Sequence, residues 1–289
     1  MESPDHFLNI VFHHENHAGD DLALCAGFQR GAWRSEQFAN HIIEWLPEFA
    51  LTHSELEELG HHNALKIIRR AAKTVYQSEK YGKRGEFGEI LLHIAMRQVY
   101  DTLPAVSKIY YKTSPNETVK GFDAVHVVRN PDGLELWIGE TKFYKDVKAA
   151  IRDVADEIVD HLETDYLESE FILIGNKVDP AWPEAKELRS LLNNNVSLDD
   201  VFKKVCIPVL ITYESDVTKH YAATNDRYID KLKQEVLSEY TNLRDRISNK
   251  YTERFNEDLP VTVHVFFVPL ANKSELITKL DTKLKGLQL

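Results

Sequence analysis

The sequence predicts an α/β protein, a mixed sheet flanked by helices, and three observations carry that prediction. Short runs rich in Val and aromatic residues recur along the chain and read as strands. Longer stretches between them repeat apolar residues at helical spacing. No repeat, low-complexity tract or long linker divides the 289 residues, a length that suits one large domain or two modest ones. The expectation is an N-terminal layer over 1–83, a core over 84–180, and a C-terminal α/β extension of the same domain over 181–289.

In order, residues 7–12 read as a strand. His13, His14 and His17 follow, lacking the i, i+4 pair of a helical zinc site, and the patch reads as a polar loop. Residues 37–45 look helical and stop before Pro47. A longer helix starts after Thr52: Ser54 with Glu57 has the form of a capping box, and Leu65, Ile68, Ala72 and Val75 keep helical spacing. Residues 77–83 are a polar break. The stretch 84–102 is helical and apolar on almost every side, as expected of a helix buried between layers. After Pro104 come a strand at 108–112, a loop at 113–120, and two strands, 121–129 and 134–143, joined by the turn Asn130-Pro131-Asp132-Gly133. Residues 144–163 form an amphipathic helix with Val147, Ile151, Val154, Ile158 and Leu162 in register. Residues 171–178, continuously apolar, are expected as a strand buried on both faces. Helices at 183–192 and 198–203 lead to a strand at 205–213, assigned to an edge or bulge because Pro208 interrupts it. A long helix carries Leu232, Val236, Tyr240, Leu243, Ile247 and Tyr251, and a strand at 261–268 and a helix at 273–284 close the chain.

The composition is that of a globular protein, with 43% hydrophobic and 28% charged residues. No apolar run reaches membrane-spanning length and the first residues are acidic and polar, so a cytoplasmic protein that spans no membrane is expected. Cys25 and Cys206 form no metal-ligand spacing and suit a reduced compartment. The net charge of −11 argues against a free-standing, high-affinity DNA binder, because phosphate contacts need Lys and Arg. It does not argue against a nuclease subunit whose metal neutralises phosphate or whose partner holds the substrate. Asn176-Lys177-Val178-Asp179 matches the guanine-reading motif of GTPases, but no phosphate-binding Gly-rich loop stands upstream, so no bound nucleotide is expected.

The chemistry concentrates in the two strands around the 130–133 turn. Side chains alternate along a strand, so Asp123, Val125 and Val127 share one face of the first. Leu134, Leu136, Ile138, Glu140 and Lys142 share one face of the second. Charges at the end of a core-facing row are costly unless paired or bound to metal. If the register sets Asp123 beside Glu140, two carboxylates converge as Mg²⁺ requires, and Lys142 lies where it can orient water or offset phosphoryl charge. Glu86 and Glu89, three apart in the first turns of the 84–102 helix, offer a further acid beside Gly85 and Gly88, which let another backbone approach. Acids in a first turn also serve the helix dipole, and periodicity does not choose between the two.

Asp123, seventeen residues before Glu140-Thr141-Lys142, in a frame of helix, three strands, helix and strand, resembles the PD-(D/E)xK restriction-endonuclease-like superfamily. Phe122 stands where that motif has proline. The resemblance implies Asp123, Glu140 and the carbonyl of Thr141 as ligands of Mg²⁺ (or Mn²⁺), with Lys142 at the attacking water. Relatives that place a Gln or basic residue on the following helix have only Lys145 and Lys148 as counterparts here. Gly85-Glu86-Phe87-Gly88-Glu89, Gly121-Phe122-Asp123 and Gly139-Glu140-Thr141-Lys142-Phe143 together are similar to HamA, the nuclease subunits of bacterial Hachiman anti-phage systems. That resemblance favours Glu89 over Glu86 and implies a DNA-degrading effector restrained by a superfamily 2 helicase subunit, HamB. A silent partner-binding subunit and a stand-alone restriction-type endonuclease are the alternatives.

Overall fold

The computed structural model describes residues 3–75, 85–107, 121–193 and 195–289. The chain opens with β1 (Asn9–His14), β2 (Asp21–Cys25) and the short hairpin strands β3 (Phe28–Gln29) and β4 (Ala32–Trp33). β1 starts later than expected and runs through His13 and His14, so only the second half of the histidine patch is a turn. β2 was not anticipated. It is buried at every position, and a strand covered on both faces carries little alternation to read.

α1 (Ser35–Glu44) is followed by α2 (Leu46–Ala50), so Pro47 opens a helix as well as following one; in a first turn its missing N–H costs no hydrogen bond. The capping box belongs to Thr52 and Glu55, not Ser54 and Glu57, and starts the short α3 (His53–Glu57). α4 (Ala64–Val75) buries Ile67, Ala71, Ala72 and Val75 and leaves Leu65 exposed. The polar break at 77–83, the strand at 108–112 and the loop at 113–120 lie outside the described residues.

α5 (Gly85–Tyr100) is buried from Phe87 to Met96, as its all-round apolar sequence requires. β5 (Leu103–Ser107), β6 (Ala124–Asn130) and β7 (Gly133–Phe143) then form an antiparallel meander. α6 (Val147–His161) buries Ile151, Val154 and Ile158 on one stripe.

The clearest correction falls on residues 171–178. They are not a strand: residues 171–177 are the second half of α7 (Thr164–Lys177), which is capped by Val178, buries Leu167, Phe171 and Ile174 and leaves Ile172 and Leu173 exposed. A short apolar run reads alike in a strand and in a buried helix face, and the inward set here keeps i, i+4, i+7 spacing. After α8 (Ala185–Leu191) and α9 (Leu198–Phe202), the strand that follows the meander is β8 (Val205–Glu214). α10 (Asp216–His220), α11 (Asp226–Phe255), β9 (Thr262–Leu270) and α12 (Lys273–Gln288) complete the chain.

Seven strands form one mixed sheet in the order β1-β2-β9-β8-β7-β6-β5, drawing on all three stretches of the chain. β8 is therefore central, not an edge. Pro208 falls level with Gly139, where the β7–β8 ladder skips between Trp137↔Cys206 and Glu140↔Val209. β2, β9, β8 and β7 are mutually parallel, so four strands end at one side of the sheet, its carboxyl edge. One face carries a core with α6, α7 and α11; the other carries a core with α1, α2, α5 and α12. No described helix is long and apolar enough to cross a membrane.

Candidate active site

β7 reaches the carboxyl edge with Glu140, Thr141 and Lys142, all at most 8% exposed. Strand alternation sends them to two faces. Thr141 and Phe143 meet α5, whose Gly88 lies so close that an added Cβ would stand 3.0 Å from Thr141 Oγ1 and 3.1 Å from Phe143 Cβ. A Cβ at that distance would make the strand side chains give by a few tenths of an ångström. Glu140 and Lys142 face α6. Glu140 Oε1 is 2.8 Å from His161 Nδ1, and Lys142 Nζ is paired with the Glu157 carboxylate.

Asp123 stands one residue ahead of β6. Its N–H donates to the Gly139 carbonyl at 2.8 Å, and its Oδ2 accepts the Thr141 N–H at 2.9 Å. That amide nitrogen is bonded to the Glu140 carbonyl carbon, so the Asp123 carboxylate lies against the backbone that carries Glu140. Asp123, Glu140, Thr141 and Lys142 are thus brought together at one end of the sheet. Glu86 and Glu89 reach the same end from the opposite face, on the first turns of α5; Glu89 is buried and Glu86 half-buried.

Sequence reasoning missed three side chains at this site. His161 closes α6 with its ring stacked on Tyr166, centroids 4.4 Å apart and planes 6° from parallel, and edge-on to Phe122 at 4.9 Å. The two rings fix the imidazole against Glu140. Glu157, one helical turn earlier, holds Lys142. Glu170 of α7 is buried over Gly121, where an added Cβ would meet its Oε2 at 2.9 Å; Gly121 also has a φ of +137°, which side chains rarely adopt. The i, i+4 pair Glu157–His161 was open to reading on a predicted helix, whereas Glu170 was hidden by the strand assigned to 171–178. Lys145 and Lys148 do not take the helix position: Lys145 pairs with Glu214 at 3.5 Å and Lys148 is exposed.

The donor set is of hard oxygens. Among the described residues no three His, Cys, Asp or Glu side chains gather as a complete metal-binding group. Two carboxylates and a backbone carbonyl are what the chain offers, a set that suits a cation which keeps several waters.

The HamA family profile matches residues 5–284. This chain belongs to the HamA family. A curated relative, Anti-bacteriophage protein A of Escherichia coli (strain K12), is 22% identical over 260 residues, which cover 88% of this chain and 46% of the relative. The chain therefore spans about half the length of the curated relative it matches.

Proposed function

We propose that this HamA-family chain is a Mg²⁺-dependent DNA nuclease with a PD-(D/E)xK core, acting as the effector of a cytoplasmic bacterial anti-phage complex. The observation that carries the reading is the placement of Asp123 against Thr141, next to Glu140, with Lys142 on the same strand. Two adjacent carboxylates are expensive for a fold to hold, and a divalent cation between them removes the cost.

Asp123, Glu140 and the Thr141 carbonyl would hold the ion, with Glu89 as a further acid from α5. When bound, Mg²⁺ supplies a polarised phosphoryl oxygen and a more acidic water. The Asp123–Thr141 hydrogen bond fixes one carboxylate to the strand, and His161 fixes the other. Lys142, two residues along the same face, places an ammonium where the nucleophilic water and the charge gathering on phosphate need it. Glu157 keeps that ammonium aimed along α6 instead of into solvent. The name of the matched relative supports an anti-phage role, and the family resemblance supports restraint by a superfamily 2 helicase subunit that meets aberrant DNA first.

Incubation of the purified protein with plasmid and linear DNA, in Mg²⁺ and in chelator, tests the reading. Metal-dependent cleavage lost in Glu140→Ala and in Lys142→Ala is expected. Undiminished cleavage by Glu140→Ala would remove this active-site assignment. Co-purification with the product of a neighbouring helicase gene tests the partner.

A further inference from the structure

The carboxyl edge holds more than the candidate active site. The segments that follow its parallel strands each bring a cation: Arg30 and Arg34 after β2, Lys219 after β8, and Lys145 after β7. Arg30, Lys145 and Lys219 are exposed, and Arg34 is half-buried with its guanidinium 4.4 Å from the Phe7 ring centre. Among the described residues Arg30, Arg34 and Lys219 have no carboxylate within salt-bridge distance. Several acids at this edge have partners within the protein, while Asp216, three residues before Lys219, is exposed. Glu36 is taken by Lys279 and Lys283, Glu275 by the Ser35 hydroxyl, Asp146 by the Ala149 N–H, and Glu214 by Lys145 and the Lys273 N–H. Lys273 adds a buried charge on the Phe143 carbonyl and ring. A chain of net charge −11 thus places Arg30, Arg34 and Lys219, none of them in a salt bridge among the described residues, along the margin where β7 ends.

The β3–β4 hairpin is built to present such charge. Its central residues Arg30 and Gly31 have φ of 51° and 80°, so an arginine occupies a left-handed turn position normally left to Gly, Asn or Asp. Residues 22–35 contain no acid. Gln29, Arg30, Ala32, Trp33, Arg34 and Gln37 line a shallow hollow of about 330 Å³. Trp33 is half-buried there, and its indole N–H has no hydrogen-bond partner among the described residues.

We propose that this margin is a phosphate track, along which a DNA strand runs from the β3–β4 hairpin, past Lys219 and Lys145, to Glu140 and Lys142. Three strand intervals of ~4.8 Å separate β2 from β7, about 14 Å and room for roughly four nucleotides at ~3.4 Å each. Trp33 offers its half-buried ring to the first of them. The inference rests on the nuclease reading but is tested by binding, not cleavage.

Anisotropy of a fluorescein-labelled 20-nucleotide strand and its duplex is measured from 50 to 200 mM KCl in the full chain carrying Glu140→Ala. Adding Arg30→Ala and Arg34→Ala should weaken binding at least about tenfold and flatten the salt slope by ~0.7–0.9 for each phosphate no longer neutralised. The pair Lys203→Ala and Lys204→Ala, at the amino end of β8, should change neither. Unchanged affinity and slope in the hairpin variant would overturn the track, as would a parent chain that binds neither DNA. Polyglutamate held as tightly as DNA, and released by the same arginine substitutions, would overturn it in favour of an acidic protein. Binding along the track by a wild-type chain that does not cut would leave the track standing and remove the nuclease reading alone.

Discussion

The β6–β7 hairpin carries buried polar groups on both faces, and the two sets are built differently. On the α5 face they form a line. Thr102 Oγ1 is 2.7 Å from His126 Nδ1, His126 Nε2 is 3.1 Å from His93 Nδ1, and His93 Nε2 is 3.2 Å from Glu48, which also accepts from Arg97 Nε at 2.7 Å. An ionised Glu48 favours the His93 proton on Nε2, and one proton per ring then orders the line from Thr102 to His126 to His93, with Nε2 meeting Glu48 as a charge contact. Burial would raise the Glu48 carboxyl, but His93 and Arg97 outweigh it and hold the group at about 2. On the α6 face, Asp123 and Glu140 stand together, and their partners come from a backbone N–H and from another helix. The α5-face line sets unlike groups against one another; the α6-face pair sets like charges side by side, which stability alone does not favour. Burial of charge alone does not set the two faces apart; the juxtaposition of like charge does.

The largest expected effect separates the two faces outright. Glu140→Ala or Lys142→Ala should lower Mg²⁺-dependent DNA cleavage by about 10²-fold or more, with the unfolding midpoint little changed. On the other face Glu48→Ala should do the reverse, since it removes the buried carboxylate that Arg97 Nε and His93 share, and it costs about 3 kcal/mol in urea unfolding while the folded protein cuts at the parental rate. A Glu48→Ala protein as stable as its parent would break the contrast, because the line would then be decoration.

His161 stands between the two kinds. His161→Phe keeps the stack on Tyr166 and removes only the nitrogen at Glu140, so a loss of about tenfold in rate with stability kept is expected. His161→Asn, which restores a donor, should recover part of that rate. A His161→Phe enzyme at full speed would take His161 out of the site and leave Glu140 held by its strand alone.

The hairpin is legible in the sequence because its two strands carry Val, Ile and aromatic residues and its turn needs Pro131 and Gly133, so the alternation that lines up Glu140 and Lys142 follows from counting. What faces those residues is not legible. α7 hides in a run, Phe171 to Ile174, whose hydrophobicity is the same in either conformation, and with it goes Glu170. β2 carries too little polar contrast to announce a strand buried on both faces. Pro208 argues for an edge on local grounds, yet β8 is central because the position it vacates lies level with Gly139 and is tolerated there. Choosing between Glu86 and Glu89 requires knowing which side of an all-apolar helix meets the sheet, and the structure buries Glu89 more deeply than Glu86.

The smallest effect tests the proton order of the α5-face line. Burial pushes His126 well below the ordinary histidine range, with His93 and Arg97 adding to it. Burial likewise holds His41 and His264 at about 4. These groups are depressed in the folded chain, so once pH falls below about 6.5 the unfolded chain takes up more protons than the folded one. Stability linked to them is complete at neutral pH and drains away from about 6.5 towards 4; the depressed Glu48 extends the loss from about 4.5 towards 2. Thermal unfolding followed from pH 7.5 to 4.5 should therefore show a falling midpoint, by ~2–4 °C for each kcal/mol of linked stability in a chain of this size. His126→Gln, which keeps a neutral donor and acceptor, should fall less steeply than the parent. A midpoint flat across that range would mean that the buried rings carry charge already, and the one-way order from Thr102 to Glu48 would have to be abandoned.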